Sequence, residues 1–305
     1  MTTSFRKILA PVYFDESSSA SLDYAGYFAK RNEGIVFLLH VVPTDEPHLL
    51  RAIYRPDEGG GANVPWAEKV AREKLEAIAK ERLGDVRCEI STRVGSDATS
   101  GILEELQRVD ADLITIATHG RTGISRLVLR SVAERLVRES PRPVLTTQRK
   151  VVVSRERPFR SILCPIDLDP GRLSSLDCAA DLARANDAII HLLHIVPTEN
   201  FMLRREIYQP VPGSEENVVR AERVARQTLE EIAHARLGNL PHEVHVHVSA
   251  DPARTILEIE HDVRPDLLIM MTQGFGGLVH LIVGSVTETV IRKGFCPVLS
   301  VRADI

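Results

Sequence analysis

Two stretches of the chain have residue types suited to holding an anion: ATHGRTGISRLVLRSVAERL, beginning at Ala117, and MTQGFGGLVHLIVGSVTETV, beginning at Met271. In each, a glycine-containing loop leads from a short apolar run into a helical pattern. Glycine there lets main-chain N–H groups converge on one point, and a helix N-terminus adds a favourable dipole. Gly284, Ser285, Val286 and Thr287 sit where the second helix is expected to start, so their amides and the Ser and Thr hydroxyls can hold phosphate oxygens. Gly and Ser also serve as plain turn and cap residues, which leaves a purely structural role open.

Other chemistry-bearing residues point less far. His245 and His247 lie two apart in EVHVHVS, on one strand face with Glu243. Such a pair can chelate zinc or copper, but without a third well-placed ligand the outward polar face of an edge strand accounts for it, and no metal is expected. His40 and His194 each end an apolar run, LLH, and are expected to hydrogen-bond at a domain or subunit seam. Arg121, Arg126 and Arg130 offer an alternative, charge-based anion site, set against the ordinary reading of solvated or Glu-paired arginines. The sequence has no Gly-x-Ser-x-Gly elbow, no HExxH and no Walker loop, so no catalytic set is identified.

The elements that must position these residues occur twice. ILAPV at Ile8 to Val12 recurs as ILCPI at Ile162 to Ile166, and LLHVVPT ending at Thr44 recurs as LLHIVPT ending at Thr198. The step is 154 residues, as from Pro11 to Pro165, and it also carries Gly84 to Gly238, Asp97 to Asp251, Asp112 to Asp266 and Ser131 to Ser285 without a gap. A period of this size is a whole domain, so the chain reads as a duplicated pair, 1–150 and 157–305, joined near KVVVSRERPF. Within each half, short apolar runs fit for strands buried on both faces alternate with helical patterns. Five strands and four helices imply an α/β fold with a parallel, doubly wound sheet, whose ligands bind at the carboxyl ends of strands. Connections of about twenty residues after Pro43 and Pro197 exceed the usual βα loop, and are read equally as a lid or as a short surface helix.

With the repeat, the strand ends and the glycine loop assembled, the chain resembles the universal stress protein family along nearly its whole length, in two copies. The family pattern is Gly, two residues, Gly, nine residues, then Gly with Ser or Thr. Gly274, the run Phe275 to Val283, and Gly284-Ser285 match it, with Met271 in place of the first Gly. In the first half Gly120 and Ser131 match, while Ala117 and Arg130 replace the outer glycines. The resemblance implies a Rossmann-like sheet of strand order 3-2-1-4-5, of the adenine nucleotide alpha hydrolase type. It implies an Asp after the first strand, against the adenine and ribose region, matched by Asp167 after Pro165 and Ile166. It implies a β-branched position after the second strand, matched by Ile195 and, in the first half, by Val41. Tyr13 stands where the first half would carry the Asp. An arginine in the phosphate loop and a tyrosine for a carboxylate make the first half degenerate for ATP on this reading.

The implied function is an ATP-binding regulatory module of the stress response, not an enzyme, with ATP, optionally with Mg²⁺, held mainly by the C-terminal half. The alternatives are a nucleotide-free scaffold for protein partners or an apolar ligand, and a slow ATPase. Composition agrees with the class: 44% hydrophobic and 26% charged residues describe a globular chain, and a net charge of -4 supplies no attraction to nucleic acid. No apolar run reaches the length of a membrane span, and four scattered cysteines indicate neither disulfides nor a zinc ribbon, so a cytoplasmic protein is expected. The closing runs PVLTT and PVLSV are expected to pair the halves as an intramolecular pseudo-dimer, from which a homodimer can be built.

Overall fold

The computed structural model describes residues 4–14, 18–44, 63–118, 123–148, 157–169, 171–198, 216–272 and 285–302, with only the backbone of 123–130. The chain divides into two compact units, Ser4–Glu156 and Arg157–Ile305. Among the described residues the first comprises β1 (Lys7–Pro11), α1 (Ser18–Arg31), β2 (Ile35–Pro43), α2 (Val64–Ile78, continued by a π-helical turn Ala79–Leu83), β3 (Cys88–Gly95), α3 (Ala98–Val109), β4 (Leu113–Ala117), α4 (Gly123–Glu139) and β5 (Val144–Thr147). Its strands are parallel in the order β3-β2-β1-β4-β5.

The second unit repeats the plan with β6 (Ser161–Pro165), α5 (Ser174–Asn186), β7 (Ile189–Pro197), α6 (Asn217–Leu237), β8 (His242–Ser249), α7 (Pro252–Val263), β9 (Leu267–Met271), α8 (Ser285–Lys293) and β10 (Val298–Val301). Its order is β8-β7-β6-β9-β10, again parallel. Both orders are the 3-2-1-4-5 pattern expected from the sequence.

The cores follow from the apolar runs. Ile8, Leu9, Val36, Leu38, Leu39, Leu113 and Ile114 in the first unit, and Ile162, Leu163, Ile190, Leu192, Leu267 and Leu268 in the second, are wholly buried. Strands covered on both faces by helices carry such unbroken runs, and burying each of these side chains contributes roughly 1.5–3 kcal/mol. Alanines and leucines form the buried stripe of the helices: Ala67, Ala71 and Leu75 in α2, and Ala221, Ala225, Leu229 and Ala233 in α6, are buried at helical spacing.

Register is fixed by matching side-chain brackets. The Asp112 carboxylate, just before β4, accepts from the amides of Arg6 and Lys7 at 2.9 Å each. One repeat later, Asp266 accepts from the amides of Arg160 and Ser161 at 2.7 and 3.1 Å. Gly34, just before β2, tolerates no side chain, since a Cβ there would stand 2.1 Å from the Arg6 carbonyl oxygen.

One element departs from expectation. The stretch before Ser131 reads as a loop, yet α4 runs from Gly123, so ISRLVLR is helical. It contains no proline, and its leucines and arginines are good helix formers. The long connections, over 45–62 and 199–215, lie outside the described residues, as do Arg121 and the side chains of Arg126 and Arg130.

Candidate functional site

In the second unit the chain passes from β6 to β7 on one side and later returns to β9 on the other. The strand order therefore reverses at β6, and the carboxyl ends of β6 and β9 flank the crevice where α/β sheets take ligands.

The backbone leaving β6 is held from β7. Pro165 ends the strand, the Ile166 amide donates to the Leu193 carbonyl at 2.9 Å, and His194 Nδ1 donates to the Ile166 carbonyl at 2.9 Å. His194 is 2% exposed, so this bond is shielded from water. The next residue, Asp167, is 8% exposed. Two residues on, the Asp169 carboxylate accepts from the Gly171 amide at 3.0 Å, a turn that leads the chain into α5. Ile195 lies in β7 and is buried.

On the other flank Met271 is the last residue of β9, paired with Val301 of β10. Its side chain is turned toward α5, where the Ser174 hydroxyl stands 3.9 Å from its sulfur and donates at 3.1 Å to the Arg302 carbonyl. The Met271 carbonyl accepts from the hydroxyl of Thr287 at 3.5 Å, which ties the first turn of α8 to the end of β9. Thr287 is buried, Val286 half-buried and Ser285 exposed. Pro165, Ile166, Asp167, Met271, Ser285, Val286 and Thr287 are thus gathered around the ends of β6 and β9, with Ile195 on the neighbouring strand; Gly274 and Gly284 lie outside the described residues, as do Phe275, Gly276 and His280.

The first unit builds the same scaffold with different occupants. His40 Nδ1 donates to the Val12 carbonyl at 2.6 Å, the counterpart of the His194 bond. Burial pushes the His40 ring down to about 4, against the raising effect of that bond, so it is neutral at pH 7. Tyr13, half-buried, follows where Asp167 follows Ile166. Ser131 stands in the interior of α4, where a main-chain amide is consumed by the helix.

Sequence reasoning placed His40 and His194 at a seam. The structure shows Nδ1 of each ring donating to a carbonyl of its own unit, beside the candidate site, a role signalled only by their recurrence at one register of the repeat. Burial pushes Cys164 up to about 12 and Cys88 up to about 11, so neither of these two is a thiolate at neutral pH.

The model for the universal stress protein family matches the chain twice, over residues 4–148 and 158–302. Universal stress protein MJ0577 of Methanocaldococcus jannaschii is 27% identical over 162 residues, 49% of this chain and 99% of its own length. Universal stress protein A homolog 1 of Coxiella burnetii is 27% identical over 143 residues, 47% of this chain and 96% of its own. The crystal structure of a universal stress protein from Archaeoglobus fulgidus superposes with a TM-score of 0.67 at 19% identity, covering 97% of this chain and 96% of that one. Single-domain relatives that each span half the chain agree with a tandem arrangement, and with the family model matched across both units, the chain belongs to the universal stress protein family.

Proposed function

We propose that the chain is an adenine-nucleotide-binding regulatory module that takes ATP, with Mg²⁺, at the carboxyl ends of β6 and β9 in the second unit. The observation that carries this reading is the buried Asp167 just past the end of β6, with the first turn of α8 tied by Thr287 to the end of the neighbouring β9, at the point where the strand order reverses. A carboxylate there accepts from ribose or base donors, the first-turn amides of α8 with the hydroxyls of Ser285 and Thr287 receive phosphate oxygens, and Ile195 offers main-chain groups and an apolar wall to the base. The first unit keeps the scaffold but puts Tyr13 where the carboxylate belongs and Ser131 inside a helix, so it contributes little to nucleotide binding.

Calorimetric titration of ATP with Mg²⁺ tests this. One site per chain is expected, abolished by Gly284→Arg, weakened at least about tenfold by Asp167→Asn through loss of charge-assisted bonds, and unchanged by Arg130→Gly. Silence in the wild type would move the protein to the scaffold class, and a second site in the wild type would give the first unit a nucleotide of its own. Steady phosphate release abolished by Asp167→Asn would make it a slow ATPase.

A further inference from the structure

Phe37 and Ser91 of the first unit are replaced one repeat later by His191 and His245, while Glu89 recurs as Glu243. In the register of β7 with β8, His191 stands opposite Glu243 and Leu193 opposite His245. The period of two therefore brings all three polar side chains to one face. His191 Nδ1 lies 3.3 Å from Glu243 Oε2 and 3.3 Å from His245 Nε2, and the last two atoms are 3.7 Å apart. The partner of His245 is thus a histidine on the neighbouring strand, not His247, which the sequence pairs with it.

These separations are informative. Ordinary N–H···O bonds cluster at about 2.9–3.0 Å, shorter than any of the three. Two ligand atoms each about 2.0–2.1 Å from a tetrahedral ion stand about 3.3–3.4 Å apart, close to what is found. We propose that His191, Glu243 and His245 bind a divalent transition-metal ion, Zn²⁺ in the first place, with the fourth position taken by water. Two imidazoles and one carboxylate suit zinc, copper or nickel, whereas magnesium and calcium require oxygen ligands.

Exposure rises across the set, from 10% for the His191 side chain through 24% for His245 to 56% for Glu243, so an ion enters past the glutamate onto a buried ring. Burial favours the neutral form of both rings, in which one nitrogen of each is unprotonated. Along β7, His191 lies four residues before Ile195, roughly 13 Å away at strand rise, and the three ligands include none of the proposed nucleotide-binding residues, so the metal site does not depend on that reading.

The test uses the full chain, purified without a metal-binding tag, stripped with chelator and free of nucleotide. Titration with Co²⁺ should give visible absorption of a tetrahedral nitrogen and oxygen complex at one equivalent, displaced by Zn²⁺. His191→Phe and His245→Ser, which install the first unit's own residues, should each weaken Zn²⁺ binding at least about tenfold, with an unchanged far-ultraviolet circular dichroism spectrum. Glu243→Gln, at an exposed position, gives the same readout should His191→Phe disturb the core. A wild-type chain that takes up neither ion at one equivalent overturns the site, as does uptake unchanged in both His245→Ser and Glu243→Gln.

Discussion

His40 and His194 occupy one place in two units and do one job there, donating Nδ1–H to the carbonyl that precedes the variable residue, Tyr13 in one case and Asp167 in the other. The pH consequence is clearest for His40, held at about 4 chiefly by burial, with its bond to Val12 opposing and the charge of Lys74 assisting. A folded ring of depressed pKa adds stability that is full above its unfolded value of 6.5 and is lost as the pH falls from there to about 4, because only the unfolded ring takes up the proton. The urea midpoint of the wild type should therefore fall across that window, and His40→Phe should reduce its slope. His191 and His245, shifted in the same direction, leave part of the slope in place. At this scale the sequence shows which residue types recur but not which atoms meet. Asp167 and Ile195 are proposed from a motif, whereas His191 meets His245 only once β7 and β8 are laid side by side in register, and the two are 54 residues apart in the chain.

At the scale of elements, the alternation of apolar runs with helical stripes carries nearly the whole topology, because a strand covered on both faces and a helix covered on one have different periods. The start of α4 is where this reading fails: a glycine at each end of GRTG reads as a loop, but the residues after it favour helix and nothing interrupts them. Asp112 and Asp266 are visible as repeated residues, while their function, bracketing the entry of β1 and β6, needs coordinates. Each carboxylate satisfies two main-chain amides at once, so Asp266→Ala should cost roughly 1–2 kcal/mol through lost charge-assisted bonds, read as a lowered urea midpoint at constant slope. Asp266→Asn, which keeps one acceptor oxygen, should lie between. In the first unit a buried cluster does comparable work. Glu105 is nearly inaccessible, and although its burial alone would raise its pKa, hydrogen bonds from Arg108, Arg93 and Ser91 outweigh that and hold it at about 2. Stability from this depressed carboxyl is present above its ordinary value of 4.5 and is lost as the pH falls from there toward 2, so Glu105→Gln should flatten acid unfolding in that window.

At the scale of the molecule, a duplication in register offers each unit as a control for the other. If nucleotide binds as proposed, hydrogen exchange should slow at the ends of β6 and β9 and in the first turn of α8, with no matching change at the ends of β1 and β4. Zn²⁺ should slow exchange in β7 and β8 alone. Equal protection of both units by ATP would contradict the assignment of the site. Four of the five non-glycine residues with left-handed backbone among the described residues lie at one edge; the fifth, Phe14 with φ 55°, follows β1 at the other. Glu33, Asp110, Asp187 and Arg264, all with φ between 49° and 53°, close helices and lead into β2, β4, β7 and β9 at the amino edge of each sheet, opposite the edge where ligands are expected. A side chain in that conformation costs roughly 1–2 kcal/mol, whereas glycine there gives back only about 0.4–1 kcal/mol through its freer unfolded chain. Glu33→Gly and Asp187→Asn should therefore raise the melting temperature, most when combined, since distant changes add. The chain thus holds a margin of heat resistance it has not used, on the side of each sheet where an engineer can claim it without disturbing what the protein binds.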